Sequence, residues 1–176
     1  HNKVLANEMK LRIEKFFNFM KVEEQIDWEN RLKVFHAWGS LHSEENVGMY
    51  SYICKIYNIP FVRYRKGLTF DDVCKIAIEY LKERENLETL FDYIFIDESQ
   101  DFDQSFFQLC QTVCKNTVYI AGDIFQSIFD EPQKSDLEAD YILEKCYRTD
   151  PRTLMFAHSI GLGLFETPPL NWLKDE

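Results

Sequence analysis

Apolar positions along this 176-residue chain fall into segments of two different periods. From Asn2 to Met20, the residues Val4, Leu5, Met9, Ile13, Phe16, Phe17 and Met20 recur at helical spacing and predict a long amphipathic helix. Lys33–Trp38 is a short apolar segment compatible with a strand, ended by Gly39-Ser40. Residues 44–57 read as a helix that stops near Asn58-Ile59-Pro60, because the residue before a proline disfavours helical backbone. Thr69-Phe70-Asp71-Asp72 has the form of a helix start, with Thr69 as cap and an acid three residues on. That helix runs to about Glu85. Phe91–Asp97 is apolar on both faces, as strands of a parallel sheet covered by helices are. Asp103–Lys115 reads as a helix, and Thr117–Ala121 as a second buried strand ending at Gly122-Asp123. Helix, strand, helix, strand with short links predict a parallel α/β sheet. Beyond Asp130 the pattern loosens into a loop around Pro132 and an extended segment near Tyr141–Leu143. Asp150-Pro151 then opens a further helix, which Gly161 ends.

Composition narrows the class. The chain is 45% hydrophobic and 15% aromatic, enough for a core and unlike a disordered tail. Its longest apolar runs are far short of the roughly 20 residues of a membrane helix. The charged start is followed by no apolar signal segment, and without an initiating Met the chain reads as an internal piece of something longer. Cys54, Cys74, Cys110, Cys114 and Cys146 are odd in number and lack paired spacing, which points to reduced thiols in a cytoplasmic protein. Cys110 and Cys114 share a helix face, but with no Cys or His partner at ligand spacing they read as core thiols rather than a zinc site.

Charge is unevenly placed. Residues 91–176 hold 6 Lys+Arg against 16 Asp+Glu and so carry the whole net charge of −10. A nucleic-acid binder is usually basic on its contact face, so the global charge counts against that role, whereas carboxylates awaiting a divalent ion fit the acidic half. One segment differs. Phe61–Gly67 interleaves Arg63, Arg65 and Lys66 with Val62 and Tyr64. A solvated connector is its plainer reading, and contact with a nucleic-acid backbone the sharper one.

Chemistry concentrates where the first strand ends. Asp97 and Glu98 arrive together at the end of an apolar run. Nucleotide hydrolysis uses such a pair, one carboxylate on Mg²⁺ and the other polarising the attacking water. The plain alternative is a helix cap, or charges leaving the sheet. Asp123 ends the next strand and in a parallel sheet emerges at the same carboxyl edge, where ligands of open α/β sheets sit. Gln126, three residues on, has an amide suited to a phosphate oxygen. Arg148 is one of two arginines in the acidic half; it suits transition-state charge stabilisation, or a simple salt bridge. No G-x-x-x-x-G-K-[ST] phosphate loop occurs anywhere in the chain.

Five segments in order resemble one family. Asp97-Glu98-Ser99-Gln100-Asp101 is similar to motif II of the UvrD/Rep/PcrA-like superfamily 1 helicases, and Ala121-Gly122-Asp123-Ile124-Phe125-Gln126-Ser127-Ile128-Phe129 to their motif III. Leu143-Glu144-Lys145-Cys146-Tyr147-Arg148-Thr149 resembles motif IV, residues 1–10 the end of motif Ia, and Val34-Phe35-His36-Ala37-Trp38 motif Ib. The resemblance implies an incomplete three-layer, RecA-like P-loop NTPase sheet with flanking helices. Residues 1–140 would be part of the first motor domain, with a small helical insertion at about 40–90, and 141–176 the start of the second.

It also implies roles. Asp97 would be the Mg²⁺-linked carboxylate, Glu98 the general base, and Gln100 part of the network beside them, with Asp123 also at the nucleotide. Gln126 would contact the γ-phosphate of ATP, Arg148 would act on it as a finger, and Tyr147 would lie near the adenine. Asn2, Lys3, Phe35, His36 and Phe129 would line a path for single-stranded DNA, with RNA the less favoured partner. Motifs I, V and VI are missing, and Asp130-Glu131-Pro132 stands where relatives carry a Trp-Arg-Gly-type stretch. The expectation is a cytoplasmic fragment of an ATP-dependent DNA helicase, inactive by itself. The alternatives are a non-catalytic helicase-like interaction or regulatory module and, more remotely, a Mg²⁺-dependent phosphohydrolase or nuclease.

Overall fold

A computed structural model of the chain describes residues 3–41, 47–122, 139–141 and 150–161. The chain divides into two units, His1–Pro132 and Gln133–Glu176. The first holds α1 (Lys3–Phe19), α2 (Met49–Ile56), α3 (Phe70–Lys82), β1 (Phe91–Ile96), α4 (Gln104–Val113) and β2 (Cys114–Ile120). In the second, the described residues include α5 (Pro151–Gly161), whose first turn is capped by the Asp150 carboxylate accepting from the backbone N–H of Arg152 at 3.0 Å.

β1 and β2 pair in parallel, with Ile94 beside Val118, Phe95 beside Tyr119 and Ile96 beside Ile120. Side chains alternate across the sheet, so Ile94, Ile96 and Val118 turn toward the core while Tyr93, Phe95 and Tyr119 turn away. Here the structure corrects the sequence reading. β1 is apolar on both faces, but Phe95 is 76% exposed and stacks on Tyr119 at 4.8 Å. Among the described residues, the architecture is mixed α/β with a two-stranded parallel sheet.

The core lies where α2, α3 and α4 meet the inner sheet face. Tyr50, Ile53, Val73, Ala77, Leu81, Leu109 and Val113 are fully or almost fully buried. Cys54, Cys74 and Cys110 are free thiols within it, and burial pushes the first two up to about 11 and about 12. A thiolate is disfavoured at such sites, so these cysteines act as small core side chains.

α1 forms as its periodicity predicts, yet it has no buried residue; Glu14 on it accepts the indole N–H of Trp28 at 3.2 Å. Lys33–Trp38 is not a strand. His36 makes one isolated bridge to Gly48, and the carbonyls of His36, Ala37 and Trp38 accept the first backbone N–H groups of α2, those of Met49, Tyr50 and Ser51, at 2.8–3.0 Å. Those donors have no partner within their own helix, so the segment serves as a backbone cap. α2 starts at Met49, later than the periodicity implies, and ends where expected: Asn58 takes a left-handed φ of 51° and Ile59 N–H closes back on Cys54 O at 2.9 Å. α4 also ends earlier than expected, because Cys114 already pairs with Phe91 in the sheet.

The Thr69 cap forms as read: its hydroxyl accepts from Asp72 N–H at 3.1 Å, and the Asp72 carboxylate accepts from Thr69 N–H at 2.8 Å. Thr69→Ala is expected to cost about 1 kcal/mol, seen as a lower urea midpoint. The backbone and side chain of Thr69 hold the Asp72 carboxyl below its ordinary 3.8. A depressed folded pKa contributes stability above that ordinary value and loses it as pH falls through the folded one. Acid titration below pH 3.8 therefore removes this contribution, and Asp72→Asn lacks it at every pH.

Candidate functional site

The carboxylates sit in a turn pinned at both ends. Ile96 is buried at the end of β1, and Phe102 packs on Phe106 at 4.4 Å on the far side of the turn. Between them, Ser99–Asp101 form one turn of 3₁₀ helix, with Asp101 N–H on Glu98 O at 3.0 Å and Phe102 N–H on Ser99 O at 3.1 Å. The parallel ladder continues past the strands: Ala121 N–H donates to Ile96 O at 2.8 Å, and Ser99 N–H to Ala121 O at 3.0 Å. The turn is thereby held to both strands.

Glu98 adopts a left-handed backbone, φ 54° and ψ 49°. A residue with a Cβ rarely occupies that region, and such conformations persist where the surroundings impose them. Asp97 is exposed and its Oδ1 accepts from Glu98 N–H at 3.0 Å. Glu98 is half-buried, and its Oε2 accepts from Gln100 Nε2 at 2.6 Å. Neither acid makes an ion pair among the described residues. From Phe91 to Cys114 the chain has five acids and no Lys or Arg, so the turn is a locally negative site.

Gly122 closes the arrangement and carries a signal that the sequence reading passed over. A Cβ there would overlap Ser99 Oγ and lie 3.0 Å from Gln100 Oε1. With glycine there, the end of β2 approaches the acidic turn without displacing the Ser99 hydroxyl. Its place directly before Asp123 was the available clue. A UvrD/REP helicase N-terminal domain family model matches residues 25–130, most of the chain and all of this turn. The chain belongs to the UvrD/REP helicase family. Comparison with curated proteins and with solved structures gave no match.

Within the UvrD/REP domain, the structure brings Asp97, Glu98 and Gln100 together. It does not bring Phe35 and His36 to them. Phe35 packs half-buried against Tyr52 at 5.1 Å and Phe91 at 6.1 Å, and His36 lines a separate groove with Trp38 and Tyr64. Lys3 begins the exposed helix α1. Asn2, Asp123, Gln126, Phe129, Tyr147 and Arg148 lie outside the described residues. The segments resembling motifs Ia and IV lie outside the matched range of the UvrD/REP domain.

The donor set fits a magnesium ion. Among the described residues no group of three or more His, Cys, Asp or Glu comes together to hold a metal. A single exposed carboxylate, completed by water and phosphate oxygens, is how Mg²⁺ is commonly held at nucleotide sites, because it sheds its water reluctantly. The Asp97 oxygen not engaged by Glu98 N–H is the one open to such an ion. No helix among the described residues is long and apolar enough to cross a membrane.

Proposed function

We propose that the chain is the hydrolytic portion of an ATP-dependent DNA helicase or translocase that acts in the cytoplasm and steps along single-stranded DNA. The observation that carries this reading is the turn at Asp97–Glu98, strained at Glu98 and seated at the carboxyl ends of two parallel strands in a UvrD/REP domain. Magnesium-bound ATP would supply the phosphoanhydride to be cleaved and a cation to neutralise its charge. Asp97 would hold the cation, which would neutralise phosphate charge. Glu98 accepts the proton of the attacking water through a carboxylate oxygen, and the Gln100 amide orients that carboxylate.

The remaining roles rest on the motif resemblance. Asp123 and Gln126 attend the phosphates, Tyr147 the adenine, and Arg148 the charge that develops on the γ-phosphate. Asn2, Lys3, Phe35, His36 and Phe129 line the DNA path. One observation favours a second reading, a non-catalytic helicase-like module: the sequence has no G-x-x-x-x-G-K-[ST] loop to grip the phosphates. The two readings part on ATP hydrolysis by the full-length protein that contains this chain. Stimulation by single-stranded oligonucleotide supports the motor; hydrolysis absent with and without it supports the module.

A further inference from the structure

We propose that Gly122 is a positioning residue for the water-activating carboxylate: the space left by its missing side chain seats the Gln100 amide, and that amide aims Glu98. The inference deepens the helicase reading and rests on it for the reaction that Glu98 serves.

Backbone conformation does not call for this glycine. Gly39 and Gly67 take positive φ values, where glycine is favoured, and Gly122 does not. Alanine at 122 would meet no left-handed strain. What its Cβ would meet is side chain: it would overlap Ser99 Oγ and lie 3.0 Å from Gln100 Oε1 and 3.3 Å from Ser99 Cβ. Nor can the two main chains part to make room. Ser99 N–H donates to Ala121 O at 3.0 Å, and Ala121 N–H to Ile96 O at 2.8 Å, which ties them together beside the contact. The side chains of Ser99 and Gln100 must give instead.

They do not give equally. A serine hydroxyl turns between staggered rotamers at little cost. The Gln100 amide is planar and is held at its other end, where Nε2 donates to Glu98 Oε2 at 2.6 Å. Pushing Oε1 away from β2 therefore moves Nε2 as well. The bond is charge-assisted, so the carboxylate follows the amide or loses its partner, and either outcome changes its aim. A methyl group at 122 is thus mild for the fold and severe for the geometry of the base.

Two measurements on Gly122→Ala test this: the Gln100 side-chain amide resonances of the 176-residue chain by NMR, and ATP turnover by the full-length protein. The resonances are expected to shift. At the same time kcat is expected to fall roughly tenfold and KM for magnesium-ATP to change less than about twofold, because a misaimed base loses rate rather than binding. The urea midpoint should stay near that of the parent, since the three nearest atoms all belong to side chains. Ser99→Ala removes the overlapped oxygen and gives the new methyl room to move away from Gln100. Against that background Gly122→Ala is expected to cost about threefold or less in kcat.

An active parent whose kcat stays within about twofold in Gly122→Ala would overturn the proposal. So would a fall in kcat with the Gln100 resonances unmoved, or one that Ser99→Ala does not relieve, either of which places the role of the glycine elsewhere. Failure of Gly122→Ala to fold would contradict the claim that side chains alone must yield. A full-length parent that hydrolyses no ATP strikes the helicase reading, and this role with it, which is a different result from an active parent indifferent to Gly122→Ala.

Discussion

Glu98→Gln is expected to lower ATP turnover by the full-length protein about 10²–10⁴-fold with little change in fold. The substitution keeps the side-chain volume and the left-handed backbone, and its amide oxygen still accepts from Gln100 Nε2. What it removes is the capacity to take a proton from water. Glu98→Gly separates chemistry from strain. A left-handed backbone costs a residue with a Cβ about 1–2 kcal/mol, and glycine's extra freedom in the unfolded chain returns roughly 0.5–1 kcal/mol of that. Glu98→Gly is therefore expected to unfold at the same or a higher urea concentration than the parent while also losing turnover. A residue that weakens the fold and is needed for activity is the signature of strain kept for function. Loss of stability in Glu98→Gly together with retained turnover would mean the turn is merely structural.

The second large effect concerns the contact between Gly39 and Gly48. A Cβ on Gly48 would lie 2.6 Å from the Trp38 carbonyl carbon and 2.8 Å from Gly39 Cα, both backbone atoms that a rotamer change cannot move. Gly48 has an ordinary φ of −105°, so Gly48→Ala reports the clash alone. Gly39 combines a φ of 80° with a Cβ position 2.7 Å from Gly48 Cα, so Gly39→Ala adds backbone strain to a clash of the same kind. Overpacking and left-handed strain each cost about 1–3 kcal/mol, so Gly39→Ala should lose the more, roughly 3 kcal/mol or above by urea unfolding. Domains hold only about 5–15 kcal/mol in all. The loss propagates, because separating these backbones also withdraws the carbonyls of residues 36–38 from the first N–H groups of α2.

What the sequence disclosed and what it concealed follow from the range of the forces involved. The Thr69–Asp72 cap, the Asp150 cap with Pro151, and the stop at Asn58-Ile59-Pro60 were legible because each is a contact among near neighbours in the chain. The two strands were legible as apolar runs, and the acids at the end of the first as a break in hydropathy. Lys33–Trp38 was misread because its carbonyls answer to helix donors more than ten residues later, which no local pattern encodes. The bare aromatic face of Tyr93, Phe95 and Tyr119 was equally hidden, since an apolar side chain looks the same whether or not something covers it. The segment resembling motif II was readable as chemistry, but the left-handed backbone at Glu98 was not, because it depends on the turn's long-range ties to β2. The family match at residues 25–130 takes in the segments resembling motifs Ib, II and III and leaves out those resembling Ia and IV.

The central claim is that this chain supplies the water-activating side of an ATP site and not the phosphate grip. Steady-state hydrolysis of magnesium-ATP, measured on the 176-residue chain and on the full-length protein containing it, tests that most directly. No turnover by the chain is expected above its own Glu98→Gln control, and turnover by the full-length protein is expected to disappear in Glu98→Gln. Steady hydrolysis by the 176-residue chain that disappears in its Glu98→Gln variant would contradict it.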